Sequence, residues 1–384
     1  MKIYRVGGSV RDELLGLPVA DRDYVVVGAT PQAMRAGGFR PVGRDFPVFL
    51  HPRTHEEYAL ARTERKTSRG HRGFSFHAAP EVTLEEDLAR RDLTINAMAR
   101  ADDGTLIDPF GGERDLREGV LRHVGPAFTE DPLRVLRVAR FAARFGFSVA
   151  PETAALMRAI AAGGELETLS AERVWQELAK ALMEAKPSRF FVILRRCGAL
   201  GQLLPELEAL FAASARRSGG SASLRAVDAA AVAGEALAVR YAVLAGNLGG
   251  AARTRERLAA SFSRRVNAPT ECRELAGLGA RLRDRIDRAT ALAPAALLDL
   301  LLAMDALRRP ERLAGLLRVC GLWRRTARVS RAASDTPAAR LTEALRVIRG
   351  VKAEPLAAGG RDIARRIRAA RLRALREWLK AQKR

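Results

Sequence analysis

Two aspartates, Asp21 and Asp23, stand two residues apart where a short β-rich run, Tyr24–Val27, begins. On a strand, residues i and i+2 project from the same face, so the two carboxylates converge on one point. Such a pair can hold two Mg²⁺ ions, which activate an attacking hydroxyl and neutralise a triphosphate. Taken alone, an Asp-x-Asp reads better as a solvated charged turn. Its position favours the chemistry. One short helix upstream, Gly7-Gly8-Ser9-Val10-Arg11-Asp12 follows a strand, Ile3–Val6, and opens a helix. Glycines there let backbone N–H groups approach phosphates at the helix N-terminus, and Arg11 can pair with a phosphate oxygen. Without Asp21 and Asp23, Gly7-Gly8 would read only as a tight turn.

Two further motifs follow. Arg90-Arg91-Asp92-Leu93-Thr94-Ile95-Asn96-Ala97 sets two arginines against a helix cap. Arg91 can reach a triphosphate or a ribose there, and Asn96 is polar among apolar neighbours; a charged cap with a buried amide accounts for the segment as well. Glu130-Asp131-Pro132-Leu133-Arg134 starts a long helix, with Pro132 suited to its first turn. Advancing by about 100° per residue puts Arg134, Arg137, Arg140 and Arg144 within an arc of about 120°. Val135, Leu136, Ala139, Ala142 and Ala143 take the opposite side, and Phe141 intrudes on the basic one. One face packs; the other presents guanidinium groups, to solvent or to a ligand.

The elements that must carry these residues read as an α+β head followed by helices. Pro47–His51 and Glu57–Ala61 are expected to be strands joined through the turn-prone His51-Pro52-Arg53-Thr54. Thr83-Leu84-Glu85-Glu86 has the form of a capping box. Asp102-Asp103-Gly104 suits a hairpin turn before Leu106–Ile107. From Asp131 onward strand signals vanish and Ala/Leu/Arg-rich segments of helical period follow. Ser214–Ser223 reads as a loop, Ala332–Ala338 as a weak joint, and Arg361–Arg384 as a basic helix.

Composition sets the partner class. With 384 residues the chain needs two or more domains, and Lys plus Arg outnumber Asp plus Glu by 66 to 44, a net charge of +22. Such an excess suits a polyphosphate partner, since each neutralised phosphate releases counterion. Aromatics at 5% argue against a single-strand binder built on stacking platforms. A mean hydropathy of −0.11, no membrane-length apolar run and no signal-peptide form lead to a cytoplasmic expectation. The three scattered cysteines, Cys197, Cys272 and Cys320, suit buried thiols in a reducing compartment. None of the five histidines has metal spacing; His51 and His55 are expected at the surface.

These four motifs, in this order, resemble the class II tRNA nucleotidyltransferases of the polymerase-β-like superfamily, which includes CCA-adding enzymes and poly(A) polymerases. The resemblance runs from Tyr4 to about Leu204; Val42–His51 and Tyr58–Lys66 look like the CCA-adding branch. It implies a polymerase-β-like head of mixed sheet and helices over 1–130, then an all-α neck over 131–205, body over 206–335 and tail over 336–384. It implies Asp21 and Asp23 as catalytic Mg²⁺ ligands; Glu57, on its expected strand, is a candidate third carboxylate by position. Gly8, Arg11 and Arg91 would hold the triphosphate. Asp131 and Arg134 would hydrogen-bond the incoming base in place of a template, with Arg137 and Arg140 as further nucleotide contacts. Loop Thr63–Phe76 would help switch from CTP to ATP. The implied activity is template-independent addition and repair of the tRNA 3′-terminal CCA, with the tRNA acceptor end, ATP and CTP as partners and neither membrane nor protein partner evident. A poly(A) polymerase or a CC- or A-adding relative is the alternative. Related chains carry a metal-dependent HD phosphohydrolase domain. Here Arg240–Gly249 resembles its helix with Gly246-Asn247 where His-Asp would stand, and no histidine follows His123, so that hydrolase is expected to be absent.

Overall fold

The computed structural model describes residues 1–19, 21–42, 48–66, 74–214, 219–326, 336–351 and 362–382. It divides into two compact units, Met1–Ala181 with Arg189–Leu203, and Leu182–Ser188 with Leu204–Arg384.

The first unit is built on a seven-stranded mixed sheet. Its strands are β1 (Lys2–Val6), β2 (Asp23–Val27), β3 (Arg40–Val42), β4 (Val48–Leu50), β5 (Glu57–Leu60), β8 (Ala99–Arg100) and β9 (Leu106–Ile107), in the order β3-β4-β5-β2-β1-β8-β9. β2 is central. It runs antiparallel to β1 with Val6 opposite Asp23, and parallel to β5 with Asp23 opposite Glu57. That register sets the end of β1, where the glycine turn begins, beside the first residue of β2. Successive valines of β2 serve opposite faces: Val25 packs with Val6, Leu88 and Ala97, while Val26 packs with Met34, Phe49 and Leu60. A strand buried on both sides is fixed in register, because a one-residue slip would exchange its two faces.

Short helices close the sheet's faces. α1 (Gly8–Leu14) leaves the glycine turn; α2 (Pro31–Ala36) is capped by Thr30, whose hydroxyl accepts from Ala33 N. α3 (Leu84–Ala89) opens with the expected capping box between Thr83 and Glu86. Gly104, at φ 87°, turns the chain between β8 and β9. After α4 (Gly112–Glu118) come α5 (Leu133–Phe145), α6 (Pro151–Ala162) and α7 (Ala171–Met183).

Several boundaries differ from the sequence reading. The region after Asp131 is not free of strands: β11 (Ser148–Val149) pairs in parallel with β10 (Val120–Leu121). Two residues are too few to show a strand period. β6 (Thr63–Lys66) and β7 (Phe74–His77) pair antiparallel, so both ends of the expected loop are strands, and its centre, 67–73, lies outside the described residues. Pro47 and residues 43–46 lie outside them too. Ser214 ends one helix and Gly219 starts another, Gly219–Val232, because Ala226, Val227 and Ala230 bury an apolar face; 215–218 are not described. Of the weak joint, Pro337 begins helix Pro337–Arg349 and 332–335 are not described. Pro132 caps α5 from just outside instead of lying in its first turn. The basic terminal helix spans Ile363–Ala381.

The described part of the second unit is helical, packed around Tyr241, Phe262 and Trp323, each 2% exposed or less. Arg240 is buried, and its guanidinium donates to the carbonyls of Leu182 at 2.9 Å and Glu235 at 2.6 Å. A charge so placed needs such acceptors. All three cysteines are buried, and burial pushes the thiols of Cys272 to about 11 and Cys320 to about 12, out of reactive range. Among the described residues no helix is long and apolar enough to cross a membrane.

Candidate active site

A cavity of about 550 Å³ in the first unit gathers Gly7, Gly8, Arg11, Asp23, Arg91, Asp131, Arg134, Arg137 and Arg140. Of the singled-out site residues, Asp21 and Glu57 do not line it. Asp21 and Asp23 together line an adjoining cavity of about 810 Å³, with Glu56 and Glu57 on its wall. Asp23 belongs to both. Asp21 lies in the segment leading into β2, whose first strand residue is Asp23. Burial, opposed by Arg91 and reinforced by the charge of Asp21, raises the Asp23 carboxyl above its ordinary value. A cation would relieve the like charge that Asp21 sets against Asp23, and hard carboxylate oxygens suit Mg²⁺. The donor set fits that ion. Among the described residues no three His, Cys, Asp or Glu side chains cluster closely enough to hold a metal, so Glu57 stands as a register neighbour of Asp23 and not as a third member of a formed site.

The glycine turn has steric reasons for its composition. Gly7 sits at φ 69°, and a Cβ there would lie 2.6 Å from Nη1 of Arg91. Any side chain there would force the Arg91 guanidinium to shift. Arg91 donates to Asp87 Oδ2 at 3.2 Å, while its Nε is buried with no hydrogen-bond partner among the described residues. Arg11 is buried beneath Gly8; it donates to Asp12 at 2.8 Å and to Asn96 Oδ1. Asn96 in turn donates to Asp92 Oδ1 at 2.9 Å, and Asp92 Oδ2 accepts from Arg137 at 2.7 Å. Burial alone would raise the Asp92 carboxyl, but Arg137, the Asn96 amide and Arg134 outweigh it and hold it below the usual carboxylate range. One chain of hydrogen bonds thus runs from the glycine turn to α5.

The basic stripe of α5 is not a solvated face. Arg134 and Arg140 are 9% and 7% exposed. Arg134 donates to the carbonyl of Arg90 at 2.6 Å, Arg140 to Glu177 at 2.6 Å, and Arg144 to Asp12 at 2.9 Å. Asp131, just before α5, accepts from Leu133 N at 3.0 Å and from Arg173 at 2.8 Å. Phe141, the misfit of the stripe, is the floor of this cluster: the guanidinium carbons of Arg11, Arg137 and Arg140 lie 5.1, 5.8 and 4.4 Å from its ring centre. An aromatic face draws like charges together that would otherwise repel. Replacing Phe141 with Leu keeps the apolar packing but loses that attraction. The triphosphate expected from the motifs should then bind about fivefold more weakly, since each such contact is worth about 0.5–1 kcal/mol. Equilibrium titration with a nucleoside triphosphate would show it, and an unchanged affinity would refute it.

Sequence reasoning missed Asp87, Arg173 and Glu177. The i, i+4 spacing of Arg173 and Glu177 was readable as one helix face, but nothing local says that this face meets α5. His51 lies at the surface but is partly covered: it is stacked on Tyr58, and its Nδ1 accepts from Thr54 N at 3.2 Å, which makes it the anchor of its turn. His55 is exposed as expected.

The sequence matches two family descriptions, "Poly A polymerase head domain" over residues 3–122 and "Probable RNA and SrmB- binding site of polymerase A" over 146–211. It is 57% identical to the multifunctional CCA protein of Chromobacterium violaceum over 339 residues, 83% of each chain. The chain belongs to the multifunctional CCA protein family. The Dechloromonas aromatica member is 53% identical over 99% of this chain and 98% of its own. In fold, the chain is similar to the Bacillus stearothermophilus CCA-adding enzyme solved with CTP, with a TM-score of 0.69, 24% identity and coverage of 99% of this chain and 94% of that one. The polymerase-β-like α+β head expected from the motifs is therefore the architecture present.

Family membership sharpens one local feature of the second unit. Gly246 follows helix Leu237–Ala245, and a Cβ there would lie 2.8 Å from the carbonyl oxygen of Ala242 and 3.0 Å from Trp323. A histidine cannot enter without moving both. Asn247 donates to Ser223 at 3.1 Å and accepts from Arg283, whose guanidinium lies 4.9 Å from the Trp323 ring centre. Indole and guanidinium fill this site, and neither is a ligand for a divalent ion. The residues do not fit a metal centre.

Proposed function

We propose that this chain builds and repairs the 3′-terminal CCA of tRNA from CTP and ATP without a template. One observation carries the reading: a single cavity joins Asp23, the glycine turn and the Asp131–Arg140 segment, so catalytic acid, triphosphate cradle and base reader share one ligand-sized space. Asp21 and Asp23 would hold Mg²⁺, which when bound supplies charge neutralisation and a more acidic attacking hydroxyl. Backbone N–H groups at Gly8, with Arg11 and Arg91, hold the triphosphate. Asp131 accepts from the exocyclic amine that C and A share, and Arg134 donates to the adjacent ring nitrogen. U and G offer a carbonyl at that exocyclic position and are refused. Arg137 and Arg140 supply charge along the same wall. We divide the chain into head 1–130, neck 131–205, body 206–335 and tail 336–384.

The test is tRNA lacking its terminus, incubated with CTP and ATP separately and together and read at nucleotide resolution. Addition that stops after C, C and A supports the reading. Open-ended A points to a poly(A) polymerase, and no addition refutes both. The body is proposed to lack metal-dependent phosphohydrolase activity. The same preparation should release no phosphate from p-nitrophenyl phosphate or 2′,3′-cyclic AMP with Mg²⁺ or Ni²⁺, and release at enzymatic rates would overturn that.

A further inference from the structure

Asp131 can read a base only if its carboxylate faces the cavity as an acceptor. Nothing in α5 itself ensures this, because Asp131 precedes the helix and lies in an extended conformation at φ −119° and ψ 107°. The constraint comes from α7. Its first turn presents Arg173, which lines the same cavity and donates through Nη2 to Asp131 Oδ2 at 2.8 Å. The other oxygen, Oδ1, accepts from Leu133 N at 3.0 Å. With one bond on each oxygen, the carboxylate plane is fixed and each oxygen keeps a lone pair for a further donor. Four residues on along the same face of α7, Glu177 grips Arg140 at 2.6 Å. α7 therefore grips α5 at Arg140 and, just ahead of the helix, the base-reading acid itself.

We infer that Arg173 is the positioning residue of nucleotide selection: its ion pair aims the Asp131 carboxylate so that the exocyclic amine of C and A is accepted and the carbonyl of U and G is repelled. Both partners are about one-fifth exposed at the cavity wall, so water can compete for Asp131 when the guanidinium is absent. The carboxylate then turns, and discrimination falls before chemistry does. Arg173 does not touch the reacting atoms in this scheme; it acts through Asp131.

The inference rests on the CCA-adding reading, and its test keeps the two apart. Wild type, Arg173→Gln, Arg173→Lys and Arg134→Ala are compared for kcat/KM with CTP, ATP, UTP and GTP on tRNA lacking its terminal residue or residues. Arg173→Gln should lower the preference for CTP over UTP, and for ATP over GTP, by about tenfold, as loss of one oriented base contact does. Arg173→Lys keeps the charge but not the planar fork, so its preference should fall by about threefold; it carries the test alone should the Gln variant fail to fold. A merely structural Arg173 would lower kcat/KM for all four nucleotides alike and leave the ratios unchanged. Unchanged ratios in either Arg173 variant, with wild type building CCA and Arg134→Ala losing selectivity, overturn this inference alone. Unchanged ratios in Arg134→Ala, or a wild type that adds nothing, overturn the base-reading scheme together with it.

Discussion

Asp21→Asn and Asp23→Asn are each expected to reduce nucleotide addition by about 10³-fold or more while leaving tRNA affinity within about twofold. The amide keeps shape and hydrogen bonding but removes one negative charge from a site that must hold a doubly charged ion. Metal-ion stabilisation is worth several kcal/mol, and each 1.4 kcal/mol or so is tenfold in rate. Stability should move the other way for Asp23. Burial and the Asp21 charge raise its carboxyl in the folded protein. A raised folded value means that stability is complete while the acid is protonated and falls as pH rises through that value. At pH 7 and without divalent ions, Asp23→Asn should therefore be no less stable than wild type, and its advantage should shrink as pH falls. Single-turnover addition and thermal melting in EDTA would check both. Wild-type rates, or a destabilised Asp23→Asn at neutral pH, would remove Asp23 from the proposed role.

Much of this site was legible from residue order, for a physical reason. The glycine turn, the Asp pair and the arginine stripe each obey a local rule: φ freedom at Gly7, period 2 at a strand, period 3.6 along α5. Local rules fix what a segment can present. They do not say what it meets. The stripe could face water or ligand, and only the packed structure shows Arg134 and Arg140 pinned to the carbonyl of Arg90 and to Glu177. Phe141 looked like an error in the pattern until three guanidinium groups were seen over its ring. Arg173 gives no local sign of its role, because its partner lies 42 positions away. Short elements failed for a different reason. β11 has two residues and the start of helix Gly219–Val232 carries two glycines, so neither length nor propensity revealed them. At Gly246 the sequence showed a missing ligand, and the structure adds that Trp323 occupies the space.

Asp92 carries the largest stability effect expected in the first unit. Its carboxylate is 7% exposed and accepts from Leu93 N at 2.9 Å, from Asn96 and from Arg137. Asp92→Ala would take from the Arg137 guanidinium its ion-pair partner and release Asn96, which orients Arg11. Removing one partner of a buried pair costs about 3–5 kcal/mol. Because the Arg137 side chain is 35% exposed and water can reach it, a loss of about 3 kcal/mol is expected. Asp92→Asn keeps one acceptor oxygen and should lose less. The pH dependence has a definite sign. The folded value lies below the unfolded one, so the stabilisation is present above the unfolded pKa of about 4 and fades as pH falls towards the folded value. Between pH 6 and 9, in units well above that range, the gap between wild type and Asp92→Asn should therefore stay constant. Denaturant-dependent hydrogen exchange, read on peptides covering Leu133–Phe145, isolates this unit from the helices of the other. Protection equal to wild type in Asp92→Ala would show that α5 holds its place by apolar packing alone, and the hydrogen-bonded chain from Arg11 to Arg137 would lose its proposed part in shaping the nucleotide cradle.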